Sequence, residues 1–127
     1  FGNVEGTFDL CRLVEACGAS YVARWTTVHV RQTIESIKKA IKKNGFSFIE
    51  VISQCPTFYG RQNKIGDAVQ MMKWLRNSSV TKERAEKMSQ GELKDKMVIG
   101  EFVDRENPPF CASLHDVARK MGGDSHE

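Results

Sequence analysis

The stretch Phe46–Ser53 (FSFIEVIS) constrains this chain of 127 residues more than any other. It is a run of β-branched and aromatic residues bounded by turn formers, Asn44-Gly45 before it and Gln54-Cys55-Pro56 after it. Such a run reads as a mostly buried strand. The residues before it complete a pattern. Asp9–Cys17 (DLCRLVEAC) places Leu10, Leu13, Val14 and Cys17 at helical spacing, and Gly18 follows where a left-handed C-cap is favoured. Tyr21–Trp25 (YVARW) is short and β-prone. Thr26 and Thr27 offer a helix start, and His29–Asn44 reads as an amphipathic helix with a buried stripe of Val30, Ile34, Ile37 and Ile41. Helix, strand, helix and strand in this order argue an α/β fold with a parallel sheet and crossover helices. In such sheets the loops at the carboxyl ends of the strands carry the binding site, and Ser53-Gln54-Cys55-Pro56 is that loop for the second strand.

The second half is less regular. Asp67–Arg76 (DAVQMMKWLR) is helical, and Thr81–Lys96 is charged, nearly free of large apolar residues, and reads as a surface helix or ordered arm. Met97–Val103 (MVIGEFV) fits a strand or an extended segment, Asn107-Pro108-Pro109 stops it, and Ser113–Met121 fits a short helix ahead of a frayed Gly122–Glu127. This half cannot build a compact core by itself, so it is expected to wrap the first half or a partner. The expected division is 1–66 and 67–127, the latter a helix, a charged arm, a short strand and a helix. The chain has no internal repeat and no low-complexity segment.

Composition excludes several function classes. The formal net charge is +3, and the densest basic cluster, Lys38, Lys39, Lys42 and Lys43, falls at a predicted helix end, where it opposes the helix dipole. No helix-turn-helix, zinc-finger or RNP signature accompanies it, so nucleic acid is not an expected partner, whereas an acidic protein is compatible with the charge. No apolar run reaches membrane-spanning length, so no membrane is expected. Phe1–Glu5 has neither the basic region nor the apolar stretch of a signal peptide, and it lacks Met, which fits an internal piece, a processed form or an incomplete chain. Four cysteines at wide spacing form neither a C-x-x-C pair nor a disulfide framework, so reduced thiols in the cytoplasm are expected. His29, His115 and His126 have no partner at ligand spacing and are assigned no role.

Cys11, Cys17 and Cys111 read as small packed hydrophobes. Cys55 stands apart, just past a strand, with Pro56 holding it extended and presenting the sulfur at the sheet's carboxyl edge. Three readings follow. A packed thiol is the plain one. A thiolate nucleophile is the second, since Cys55-Pro-Thr-Phe-Tyr-Gly-Arg61 fits the C-x5-R spacing of cysteine phosphatases and some sulfurtransferases. Against it, Pro56 lacks an N–H, Phe58 and Tyr59 are bulky for a tight cradle, and Gln62 replaces the usual hydroxyl. The third is an isolated ligand of an iron–sulfur cluster whose other cysteines lie elsewhere.

A family resemblance bears on the choice. Leu10-x-x-Leu13-Val-Glu-Ala16-x-Gly18-Ala19, then Thr33-Ile34-Glu35-x-x-Lys38-x-Ala40 and Gly45-x-Ser47-x-Ile49-Glu50-Val51, resemble the second half of a thiamine-diphosphate-binding domain. Gly45 through Asn63 (GFSFIEVISQCPTFYGRQN), with Ala19–Arg24 and Gly2–Glu5, resembles more narrowly the beta subunit of 2-oxoacid:ferredoxin oxidoreductases, with a flavour closest to the 2-oxoglutarate type. The match continues more weakly through Gly100–Glu106. The resemblance implies the parallel-sheet half of a thiamine-diphosphate-binding fold with an extended C-terminal arm. It implies thiamine diphosphate, magnesium and a [4Fe–4S] cluster held by three upstream cysteines and one at the position of Cys55. It also implies oxidative decarboxylation of a 2-oxoacid, acyl transfer to coenzyme A, electron delivery to ferredoxin, and association with an alpha subunit and in some cases gamma and delta subunits. Arg61 and Asn63 match the family loop as loop-fixing residues, or Arg61 as a counter-charge to the cluster or a substrate carboxylate. The family's Gly-Asp-Gly motif, the Asn that follows it and the three further cysteines are absent from this sequence. The chain by itself is therefore expected to hold neither cofactor, and a non-catalytic assembly module of the same fold stands as the alternative.

Overall fold

The computed structural model describes residue 6 and residues 8–122. The elements run α1 (Leu10–Ala16), β1 (Tyr21–Thr26), α2 (Val30–Lys42), β2 (Ser47–Ile52), one π-helical turn (Pro56–Gly60), α3 (Ala68–Ser78), β3 (Ser79–Thr81), α4 (Lys82–Ala85), α5 (Gln90–Leu93), β4 (Met97–Asp104) and α6 (Phe110–Gly122). The Gly2–Glu5 match, the frayed tail expected beyond residue 122 and His126 lie outside the described residues.

Four strands form one sheet in the order β2-β1-β4-β3. β1 and β2 pair in parallel, Tyr21 opposite Ser47 through Thr26 opposite Ile52, with α2 as the crossover. β3 and β4 are also parallel, whereas β4 runs antiparallel to β1. The α/β class holds, and two of the three pairings are parallel. Met97–Val103 is the strand that inserts beside β1, with a register irregularity at Val22/Ala23.

α1 begins at Asp9, whose carboxylate accepts from the Arg12 N–H, and ends before Gly18 at φ +87, the expected left-handed cap. Its buried face differs from expectation. Cys11 is buried, joining Ala19, Val22 and Val103 with Val14, Phe48 and Phe102 packed around them, while Leu10, Leu13 and Cys17 are exposed. The cause is an ionic seam under the helix: Arg24 donates to Glu50 and to Asp9 (2.7 Å), and Phe102 lies 5.6 Å from its guanidinium. The seam holds the α1 start over β1 and turns the Cys11 side inward.

α2 likewise corrects the sequence reading. Its stripe of Val30, Ile34, Ile37 and Ile41 is 43–80% exposed. The face against the sheet carries Thr33, Ser36 and Ala40 instead, and Ser36 accepts a 2.7 Å hydrogen bond from the Trp25 indole. A buried indole N–H needs an acceptor. That need, together with the close approach small side chains allow, sets the rotation of the helix about its axis.

Thr81–Lys96 is not one helix. It starts within β3, and α4 and α5 are separate short turns, the second capped by Ser89 and Glu92 in a reciprocal box. α6 is a helix longer than expected, and its stripe of Phe110, Leu114, Val117 and Met121 is exposed. No helix among the described residues is long and apolar enough to cross a membrane.

Candidate functional site

β1 and β2 end on the same side of the sheet because they are parallel, and the Cys55 loop leaves that side. Two bonds tie it to the end of β1: the Thr27 hydroxyl donates to Gln54 Oε1 (2.6 Å), and the Thr27 N–H donates to the Ile52 carbonyl (3.0 Å). Cys55 is extended, with φ −127° and ψ 83°, as the residue before a proline should be. Pro56 then opens a single π turn, a position where its missing N–H costs no hydrogen bond. The Gly60 N–H closes the turn on the Cys55 carbonyl at 2.9 Å.

The turn is fixed from two further directions. The Asn63 side-chain amide donates to the Tyr59 carbonyl (2.9 Å), which makes Asn63 a loop-fixing residue in geometry. Gly60 is buried against α3, and a Cβ there would lie 2.5 Å from Met71 Sδ and 3.2 Å from the Gly66 carbonyl. A larger residue fits at this contact only if the Met71 side chain shifts. Neither Met71 nor Gly60 was singled out in the sequence, because their meeting depends on how α3 folds back.

This geometry has a chemical consequence at the sulfur. The Cys55 thiol is exposed, and its pKa is held below the ordinary value by the Tyr59 N–H, then the Phe58 N–H, then the Thr57 hydroxyl at 4.0 Å. Donors aimed at a sulfur stabilise its thiolate, the form that binds metal or attacks an electrophile. Cys11 shows the opposite: burial first, then the Glu50 carboxylate, outweigh Arg24 and push its thiol up to about 12. Of the three cysteines expected to pack, only Cys11 does so; Cys17 and Cys111 are exposed.

Beside the sulfur lies a cleft of about 290 Å³ lined by Ile52, Gln54, Cys55, Tyr59, Met71 and Trp74, among others. The Tyr59 and Trp74 rings meet at 6.3 Å. A larger cleft of about 510 Å³ lies against α2, but its Lys39 and Glu101 are paired at 2.8 Å and Cys55 does not line it. Among the described residues no hydrogen bond joins Arg61 to Cys55, so the C-x5-R spacing does not produce an arginine-gripped cradle. His29 occupies the N-cap position of α2 without a side-chain cap bond, its Nδ1 lies 2.7 Å from the Thr26 hydroxyl, and burial followed by the Arg76 charge lowers its pKa. No group of three or more His, Cys, Asp or Glu among the described residues is placed to hold a metal ion. An exposed thiol whose ionised form is favoured has the chemistry of a metal ligand or of a nucleophile.

By fold, the chain is an α/β segment similar to a 2-oxoglutarate:ferredoxin oxidoreductase of Magnetococcus marinus, solved with 2-oxoglutarate, coenzyme A and succinyl-CoA bound. The TM-score is 0.66 at 21% identity, over 100% of this chain and 44% of that one. By sequence, the chain is similar to the KorB subunit of 2-oxoglutarate synthases. It is 50% identical to that of Methanocaldococcus jannaschii over 121 residues and 46% identical to that of Methanothermobacter marburgensis over 123. These matches cover 95% and 97% of this chain, but 45% and 43% of the relatives, so the chain spans less than half their length. No protein-family model matches it.

Proposed function

We propose that this chain is part of the beta subunit of a 2-oxoacid:ferredoxin oxidoreductase, acting in the cytoplasm with 2-oxoglutarate as its substrate. Residues 1–66 form the C-terminal part of a thiamine-diphosphate-binding domain, and residues 67–127 form the C-terminal region of the subunit. In the reaction a 2-oxoacid loses carbon dioxide, its acyl group passes to coenzyme A, a proton is released, and the electron pair leaves as single electrons to two ferredoxins. When bound, thiamine diphosphate with magnesium supplies the carbanion chemistry and a [4Fe–4S] cluster the one-electron path.

The observation that carries this reading is the 46–50% identity to KorB subunits across nearly the whole chain, with an exposed cysteine at the strand end. Cys55 would supply one cluster thiolate. The Tyr59 and Phe58 N–H groups and the Thr57 hydroxyl favour that ionised state, and Asn63 and Gly60 hold the turn that aims them. The chain has no Gly-Asp-Gly sequence, so residues outside it would bind the diphosphate and magnesium and provide the remaining thiolates, with an alpha subunit as partner. The test is the intact enzyme assayed for ferredoxin reduction with 2-oxoglutarate, pyruvate and branched 2-oxoacids in the presence of coenzyme A. Turnover is expected with 2-oxoglutarate, and broad visible absorbance should be lost in Cys55→Ala. A Cys55→Ala enzyme with unchanged absorbance and full activity would remove Cys55 from the cluster.

A further inference from the structure

The residue before Cys55 carries an amide that the fold engages at its oxygen and leaves open at its nitrogen. Gln54 is half-buried and lines the same cleft of about 290 Å³ as Cys55. Its Oε1 accepts from the Thr27 hydroxyl at 2.6 Å, and the Thr27 N–H donates to the Ile52 carbonyl at 3.0 Å. Both bonds reach from the residue after β1 to the end of β2, so the Gln54 side chain is held by the sheet and not by its own loop. With the oxygen occupied, the nitrogen and its two hydrogens remain for another acceptor.

That nitrogen finds no acceptor among the described residues, yet it is not sealed inside the protein. The Tyr21 hydroxyl is the one buried side-chain oxygen or nitrogen without a partner among the described residues, so the Gln54 amide keeps access to the open space of the cleft. The neighbouring walls offer it little. Ile52 and Leu75 are aliphatic, Trp74 can only donate, and neither the Ser53 nor the Tyr59 hydroxyl bonds Gln54. Cys55 is the lining residue whose ionised form the surrounding donors favour. A donor beside an anion acts more strongly between apolar walls than in open water.

We propose that Gln54, oriented by Thr27, donates its side-chain amide to a sulfur of the iron–sulfur group bound through Cys55 and thereby raises the reduction potential of that group. The proposal rests on the oxidoreductase reading above and adds a residue that sets the energy of the transferred electron. One electron entering such a group adds negative charge that its sulfurs share. A hydrogen-bond donor at a sulfur therefore stabilises the reduced form more than the oxidised one, and the potential rises. Thr27 touches no sulfur in this scheme and acts only through Gln54, which makes it a positioning residue.

Potentiometric titration of the intact enzyme tests this, with the reduced state followed by electron paramagnetic resonance and iron content measured alongside. In Gln54→Leu the equilibrium constant for reduction should fall about tenfold, a one-electron shift of about 59 mV to lower potential. Gln54→Glu keeps an oxygen for Thr27 but replaces the donor with an anion, and should lower the constant further. Thr27→Val should move it in the same direction by a smaller factor, whereas Thr27→Ser keeps the hydroxyl and should stay within twofold of wild type. A Gln54→Leu enzyme with full iron content and the wild-type potential overturns the proposal, as does a higher potential in Gln54→Glu. If Gln54→Leu fails to retain iron, Gln54→Glu and Thr27→Val decide, and an unchanged potential in both overturns the proposal by assigning Gln54 to loop folding alone. If wild type holds no iron–sulfur group, or Cys55→Ala holds one at the wild-type potential, the reading of Cys55 as a cluster ligand itself fails.

Discussion

The two sides of this small sheet treat a thiol in opposite ways. Under α1, Cys11 sits in a packed seam with Val22, Val103 and the Asp9–Arg24–Glu50 ions, and its proton is held tightly. Past β2, Cys55 stands in solvent on a single turn whose amide groups favour losing the proton. The residue type is the same, and the backbone around it decides the chemistry. Burial makes a thiol inert, whereas an open turn with inward N–H groups makes it a ligand or a nucleophile.

The contrast breaks most readily at Arg24. Its side chain is 13% exposed and bonds two carboxylates, so Arg24→Ala leaves both facing one another beside Cys11. A loss of about 1–3 kcal/mol in unfolding free energy is expected by denaturant titration, the scale for removing charge-assisted hydrogen bonds to half-buried carboxylates. Although burial opposes it, the Asp9 carboxyl is held below its usual value by Arg24 and the Arg12 N–H. The unfolded chain therefore binds that proton first as pH falls. The Asp9 contribution is complete above about pH 3.9 and is lost as pH drops through the lower folded value. Arg24→Ala should remove this part of the acid transition.

Peptide-resolved alkylation of the iron-free enzyme compares the two thiols directly. At pH 8, Cys11 should react more than about a hundredfold slower than Cys55, because the thiolate is the nucleophile and burial suppresses it. Comparable rates would mean that α1 opens freely. Gly60→Ala sharpens the other half, since a methyl group there meets Met71 and should cost about 1–3 kcal/mol as overpacking. The same variant should alter Cys55 alkylation while leaving that of Cys11 unchanged. The smallest effect belongs to Thr57→Val, which removes the weakest of the three donors to Cys55. The pH profile of Cys55 alkylation should move upward, so less thiolate is present at a given pH. A profile that stays in place would leave the two amide groups as the donors that matter.

The alternation of helix and strand through Ser53 was legible because each element is local. Cys55 was legible because a proline constrains its immediate predecessor. The rotation of α2 was not. Periodicity marks its isoleucine stripe as apolar, but the covered face depends on the Trp25 indole reaching Ser36, a bond between separate elements. The antiparallel entry of β4 beside β1 has no signature in MVIGEFV, since strand direction is set by the path of the connection. The π turn was read as a loop for a related reason. The Gly60–Met71 contact that fixes it depends on α3 returning to the loop, which local pattern does not encode.

The isoleucine stripe on α2 also bears on the life of the subunit before it is finished. Four aliphatic side chains in line along 13 residues, with a second apolar row on α6, are the kind of surface that chaperones grip and quality-control proteases sample. A polypeptide presenting them is a candidate for retention or degradation by that machinery. Left uncovered, the two rows would make the yield of the folded chain depend on chaperone supply as well as on the intrinsic stability of the sheet.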